Sequence, residues 1–371
     1  MHHCNLTSRI AVAAKELGFS MAFVIFFAAA AHGESPGGEA AAAKAPGAEA
    51  PLTIGSIERL DPALDELVPA GAQLEIVAEG FDWSEGPVWV PADGGFLLFS
   101  DIPPNTIYRW DARSGKSEYL KPSGYTGTAP RGGEVGSNGL ALDRAGHLLL
   151  CQHGDRRVAR LDATGDDPQP RYATLADRHD GLRFSSPNDL TVHSSGAVYF
   201  TDPPYGLDGY QEDVSKIPGK EIPYQGVYRI APDGKVTLLT KELERPNGIA
   251  FSPDEKTLYV ANSHPQRPVI MAYPVVADGA IGAGRVLFDA SPWIGQRKGL
   301  PDGMAVDEHG NLFATGPGGV LVISPEGKHL GTLLTTQATS NCTFGEDGRT
   351  LFITADGYLL RVPLSTKGKG F

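Results

Sequence analysis

One unit recurs six times along this chain of 371 residues. Each copy has a glycine or its equivalent, a short alternating strand, a turn rich in Asp or Gly, and a second strand. The copies occupy residues 86–101, 139–151, 189–202, 248–262, 303–315 and 342–354. Their starts lie 53, 50, 59, 55 and 39 residues apart. That period suits four-stranded propeller blades, because helical solenoid units are shorter and lack these hairpin turns. A third strand follows several hairpins, as at 106–110, 158–161, 226–230 and 358–362. β-Branched and aromatic residues alternate in these strands, and Asp-Gly or Ser-Gly turns separate them. The last copy has little chain after it, so the early strand at 74–77 is expected to complete the final blade. The pattern therefore predicts an all-β, six-bladed β-propeller, one domain from about 55 to 371. Two packed β domains are the competing architecture.

The 46 glycines and 29 prolines, about a fifth of the chain, agree with many turns and argue against a helical bundle. The residues ahead of the repeats read differently. Arg9 and Lys15 precede an apolar stretch from Phe19 to Ala31, followed by Ala31-His32-Gly33. This is the pattern of an export signal over 1–33, with an uncleaved anchor as the alternative. The apolar run is too short for a spanning helix of roughly 20 residues. Residues 34–54 are dominated by Ala, Gly, Pro and Glu and are expected to be a flexible linker. The expected location is periplasmic or secreted, with no membrane association after cleavage. The net charge of −12 and the absence of a basic run exclude nucleic acid and anionic membranes as natural partners. Cys4, Cys151 and Cys342 cannot form a disulfide framework. Cys151 sits in an apolar run and reads as a buried strand residue; a bridge to Cys342 stays open.

The residue just before each repeat carries the chemistry. These are Glu85, Asn138, Asn188, Asn247, Asp302 and Asn341, all bearing side-chain oxygen. Asn or Asp before Gly also forms turns, and each one alone would be read that way. Equivalent positions in a ring of blades lie at equivalent radii, however, so the six are expected to converge on the axis. Carboxylates and amide carbonyls are hard ligands that suit Ca²⁺, Mg²⁺ or Mn²⁺ better than Zn²⁺. Two carboxylates would roughly neutralise one divalent ion.

The motifs Ser84-Glu85-Gly86-Pro87, Ser186-Pro187-Asn188-Asp189, Arg245-Pro246-Asn247-Gly248 and Pro301-Asp302-Gly303-Met304 resemble the senescence marker protein-30/gluconolactonase family of regucalcin-like sugar lactonases. So do residues 200–206 and 153–158, and the resemblance spans roughly 72 to 362. It implies a six-bladed propeller holding one divalent cation, Ca²⁺ foremost, with Mg²⁺, Mn²⁺ or Zn²⁺ as alternatives. It implies a sugar lactone as substrate. The metal ligands it implies are Glu85, Asn247 and Asp302. Asn188 matches a position that binds metal in some members and substrate or a metal-bound water in others. Asp302 is the implied general base. The export signal and linker depart from the cytosolic animal members.

A hard cation at this place can polarise a lactone carbonyl and acidify water. Substrate contacts are expected from Asn138, His153, Arg183 and Tyr205. Arg183 could donate to sugar hydroxyls or be a surface cation beside Asp180. His153 could be a donor or base at the channel mouth or a turn residue with its ring packed on a neighbour, and Tyr205 could stack on a sugar or simply pack at the rim. No G-x-S-x-G elbow, phosphate-binding loop or H-E-x-x-H motif is present. Two other readings remain open: a calcium- or sugar-binding propeller without catalysis, and a metal-dependent hydrolase of organophosphates or other esters.

Overall fold

The computed structural model describes residues 50–162, 168–209 and 213–371. The expected export signal, and all but the end of the expected linker, lie outside the described residues. Six antiparallel sheets follow one another along the chain, and the fold is a six-bladed β-propeller. Their innermost strands are Ser84–Val90, Ser137–Leu142, Leu190–Val192, Pro246–Phe251, Met304–Val306 and Thr339–Gly345. The sixth blade takes its outermost strand, Glu75–Glu79, from ahead of the first blade. That strand pairs antiparallel with Tyr358–Pro363. The one short α-helix among the described residues is Leu64–Leu67.

Each interface between neighbouring blades contains its own hydrophobic cluster, because successive strand side chains point to opposite faces. In the second strand of the first blade, Phe96 and Leu98 pack against the second blade. Leu97 and Phe99 pack against the sixth. Leu148 and Leu150 likewise face the first blade, while Leu149 and Cys151 face the third. Both faces of these strands are buried, which is why they read as unbroken apolar runs. Cys151 and Cys342 are buried, free thiols in different clusters. Burial pushes the Cys342 thiol up to about 12.

Backbone pairing begins just ahead of residue 55. Leu52 O accepts from Ile76 N at 2.8 Å, and Ile54 N donates to Leu74 O at 3.0 Å. Residues 52–54 are therefore already paired to the closing strand. Ser56–Arg59 then adds a fifth strand to the fifth blade, against His329–Leu334. A bidentate pair from Arg297 to Glu58, at 2.9 and 2.8 Å, fixes it. Four residues without strict alternation gave no strand signal in the sequence. Among the described residues, no helix is long and apolar enough to cross a membrane.

Candidate functional site

The innermost strands bring five of the six oxygen-bearing positions together. Glu85, Asn138, Asn188, Asn247 and Asp302 line one cavity of about 360 Å³ at the end of the channel. In four blades the register breaks at or beside this position: between Glu85 and Val88, Ser137 and Leu140, Pro246 and Ile249, and Thr339 and Asn341. Bulges of this kind re-aim a side chain out of the pleat. In the third and fifth blades the strand begins just after it.

The glycines that follow let neighbouring inner strands approach closely. A Cβ on Gly139 would lie 2.8 Å from Asn188 O, and one on Gly248 would lie 2.2 Å from Asp302 O. Hydroxyls on the second strands stitch the same backbones together. Ser100 Oγ donates to Asn138 O and Thr201 Oγ1 to Asn247 O, each at 2.8 Å. The loops leading into the ring are held by acceptors at the ends of the second strands. Asp101 accepts from Trp83 N at 2.9 Å, and Asn262 Oδ1 from Arg245 N at 2.8 Å. Asp202 accepts from Ser185 N at 2.9 Å and Ser186 N at 2.7 Å. The first, third and fourth blades thus carry their own brace for the residue they present.

The electrostatics are those of carboxylates out of water. Burial pushes Glu85 up to about 8, against the opposing bond from Gly86 N at 2.9 Å; the charges of Asp189 and Glu134 add to the rise. Asp302 is pushed well above the usual carboxylate range, by burial first and then by Glu85, Asp189 and Glu134. Asn188 Oδ1 and Asp302 Oδ1 are buried with no hydrogen-bond partner. Buried acceptors left without donors cost free energy. Two carboxylates and unsatisfied oxygens therefore form a donor set that fits a hard divalent cation. Among the described residues, no cluster of three or more His, Cys, Asp or Glu side chains gathers as a metal site. The ring combines two carboxylates with amides instead.

Asn341 departs from the expected ring. It lines a second cavity of about 290 Å³, further along the same inner strands, together with Asp189. Its Oδ1 accepts from Cys342 N at 2.8 Å, and its side chain lies beside the carboxylates of Glu85 and Asp189 and opposes the rise of both. Its amide faces those acids rather than the ring cavity.

The expected substrate contacts divide. Asn138 and Tyr205 line the ring cavity. His153 is fully buried behind it: Nδ1 lies 2.8 Å from Glu134 Oε2, off the direction of an aligned hydrogen bond. Its Nε2 faces Asn188 Nδ2 at 3.5 Å. Arg183 does not reach the ring cavity. Leu182–Arg183 pairs with Arg178–His179 in a small ribbon, and the guanidinium donates to Asp155 O at 3.0 Å. It lines a separate cavity of about 410 Å³. Its placement beside the third repeat in sequence hid this detour.

Glu134, Trp83 and Arg245 also line the ring cavity. Arg245 already opens one of the recurring motifs, and Trp83 lies one residue ahead of another and could have been found by extending it. Glu134 lies in a connection between blades, outside every repeat, and had no such signal.

A profile described as "SMP-30/Gluconolactonase/LRE-like region" matches residues 83–357. A gluconolactonase from Zymomonas mobilis is 43% identical over 323 residues, covering 85% of this chain and 88% of the relative. A pentonolactonase from Haloferax volcanii is 27% identical, covering 74% of this chain and 81% of the relative. The structure of a gluconolactonase from Xanthomonas campestris is 32% identical with a TM-score of 0.72, covering 86% of this chain and 99% of that one. By profile, by sequence and by fold, this chain belongs to the SMP-30/gluconolactonase/LRE-like family.

Proposed function

We propose that this chain hydrolyses a sugar lactone, glucono-1,5-lactone or a close aldonolactone, to the aldonic acid. The lactonase relatives support the reaction class. The observation that carries the site is the convergence of Glu85, Asn138, Asn188, Asn247 and Asp302 on one cavity with buried oxygens left unsatisfied. In this reading Glu85, Asn188, Asn247 and Asp302 hold one divalent cation. When bound, the cation supplies positive charge against the lactone carbonyl oxygen and beside the attacking water.

The protein groups do the rest. Asp302 accepts the proton of the water that adds to the carbonyl carbon. The bond from that carbon to the ring oxygen then breaks, the ring oxygen takes up a proton, and the open-chain acid leaves. Asn138 and Tyr205 orient the sugar. Trp83, Leu300 and Ala338 provide apolar wall and limit bulk water. Asn247 Nδ2 donates to Ser263 Oγ at 3.2 Å, which turns its carbonyl oxygen away from that hydroxyl. The export signal read from the sequence would place this activity in the periplasm or outside the cell.

The test is acid release from a panel of sugar lactones, before and after chelation, with Ca²⁺, Mg²⁺, Mn²⁺ and Zn²⁺ restored singly. The expected result is loss in chelator and recovery with one or more ions. Full activity in chelator refutes the cation role. No hydrolysis of any lactone, with a cation bound, refutes the enzymatic reading in favour of a binding module.

A further inference from the structure

Glu134 is a third carboxylate on the wall of the ring cavity, and it belongs to no repeat. We propose that Glu134 is a specificity-determining residue that accepts hydrogen bonds from the hydroxyls of a polyhydroxylated lactone, its segment tied to its neighbours by Arg131 and its carboxylate backed by His153. The inference rests on the lactone reading above.

Its position is distinct from that of the two ring carboxylates. It does not gather with Glu85 and Asp302 into a three-acid cluster among the described residues. It is close enough for its charge to raise both of them. Its side chain is 40% exposed and meets His153, which is fully buried, at 2.8 Å. It therefore faces the open cavity with a rigid imidazole behind it.

One guanidinium ties the surroundings together. Arg131 Nε donates to Gly132 O at 3.2 Å. Nη1 donates to Gly154 O and Nη2 to Gly206 O. These carbonyls lie on the three segments that carry Glu134, His153 and Tyr205. The segments meet without slack. A Cβ on Gly154 would fall 2.4 Å from Val135 O, and one on Gly206 would fall 2.8 Å from His153 Cβ. The backbone segment that carries the carboxylate is thus held before substrate arrives, and preorganisation lowers the cost of binding.

The chemistry selects the ligand. An ionised carboxylate only accepts hydrogen bonds. A lactone ring offers acceptors at its carbonyl and ring oxygens, and its donors are its hydroxyls alone. Glu134 is satisfied by a polyol and left unpaired, at a cost, by an unsubstituted ring. Sites built to bond a hydroxyl reject analogues that lack it.

The experiment compares glucono-1,5-lactone with δ-valerolactone, using the full chain loaded with the activating cation. Wild type, E134A, E134Q and R131A are assayed, and Ca²⁺ binding is measured by calorimetry. In E134A, kcat/KM for gluconolactone is expected to fall roughly ten- to hundred-fold further than for δ-valerolactone, mainly through KM. E134Q, which keeps one acceptor oxygen, recovers part of the selectivity. R131A shows the same substrate-selective loss at smaller size. Ca²⁺ affinity in E134A falls much less than in E85Q, by no more than the loss of a neighbouring charge explains. Equal losses on both lactones overturn the proposal, as does a loss of Ca²⁺ binding in E134A as large as that in E85Q, which would make Glu134 a ligand. Wild type inactive on both lactones instead overturns the lactone reading itself, so the two failures are distinguishable.

Discussion

Replacing Gly248 with alanine puts a methyl carbon 2.2 Å from the Asp302 carbonyl oxygen and 2.7 Å from the Gly303 Cα. Ordinary contact for such a carbon begins near 3.4 Å. The shortfall is thus about 1.2 Å, and the obstacle is backbone, which has no rotamer to escape into. Either the fourth or the fifth inner strand must move by about that distance. Asn247 sits on one and Asp302 beside the other, so the displacement falls within the ring of donors. Overpacking of this kind costs about 1–3 kcal/mol of stability. A misplacement of about 1 Å at reacting groups can cost on the order of 10²-fold in rate. The assay pairs urea unfolding with lactone hydrolysis in G248A. Gly71, whose added Cβ meets nothing within 4 Å, is the control, and G71A should stay within about 0.5 kcal/mol of wild type. A G248A protein with native turnover and stability would refute the claim that close strand approach sets the donor geometry.

The D302N variant should lose on the order of 10²-fold or more in kcat, as expected for removal of a general base, while calorimetry still detects cation binding. Near-native turnover with the cation bound would remove Asp302 from proton transfer. Asp202 gives a pH prediction. Burial raises it from 3.8 to about 6, despite the bonds from Ser185 N and Ser186 N. In that window the folded state binds more protons than the unfolded one, so its contribution is fully present below about pH 4 and is lost as pH rises through about 6. The stability difference between wild type and D202N should therefore shift by about 2 kcal/mol against wild type from pH 4 to pH 7, measured by denaturation at each pH. A pH-independent difference would contradict the raised value. Ser340 Oγ donates to Ser84 O at 2.6 Å and joins the sixth blade to the first. S340A should lose about 1 kcal/mol in urea unfolding, and no loss would show that this bond is dispensable to closure.

The ring was legible in the sequence because a repeat converts linear spacing into radius. Once the period was seen, Glu85, Asn138, Asn188, Asn247 and Asp302 could be named without coordinates. What decides their orientation was not legible. The register breaks at Glu85 and Pro246 arise from pairing geometry rather than composition. Asn341 occupies an equivalent position, yet its amide lies beside buried acids in the second cavity, a tertiary fact invisible to spacing. Arg183 lies near a motif in sequence but is carried away by a two-residue ribbon. Glu134 was missed because inter-blade connections have no period. Ser56–Arg59 escaped notice because an edge strand borrowed by a distant sheet needs little hydrophobic pattern of its own.

The joint between Glu75–Glu79 and Tyr358–Pro363 has a consequence for biogenesis. The first partner is made ahead of the innermost strand of the first blade and the second after every other blade strand, so the wheel stays unlatched until that second strand emerges. During that interval strand edges stand open to neighbouring molecules. Completion of the last stretch is therefore what turns an adhesive intermediate into a sealed particle, and nascent chains cut short of it should be substrates for chaperones or proteases.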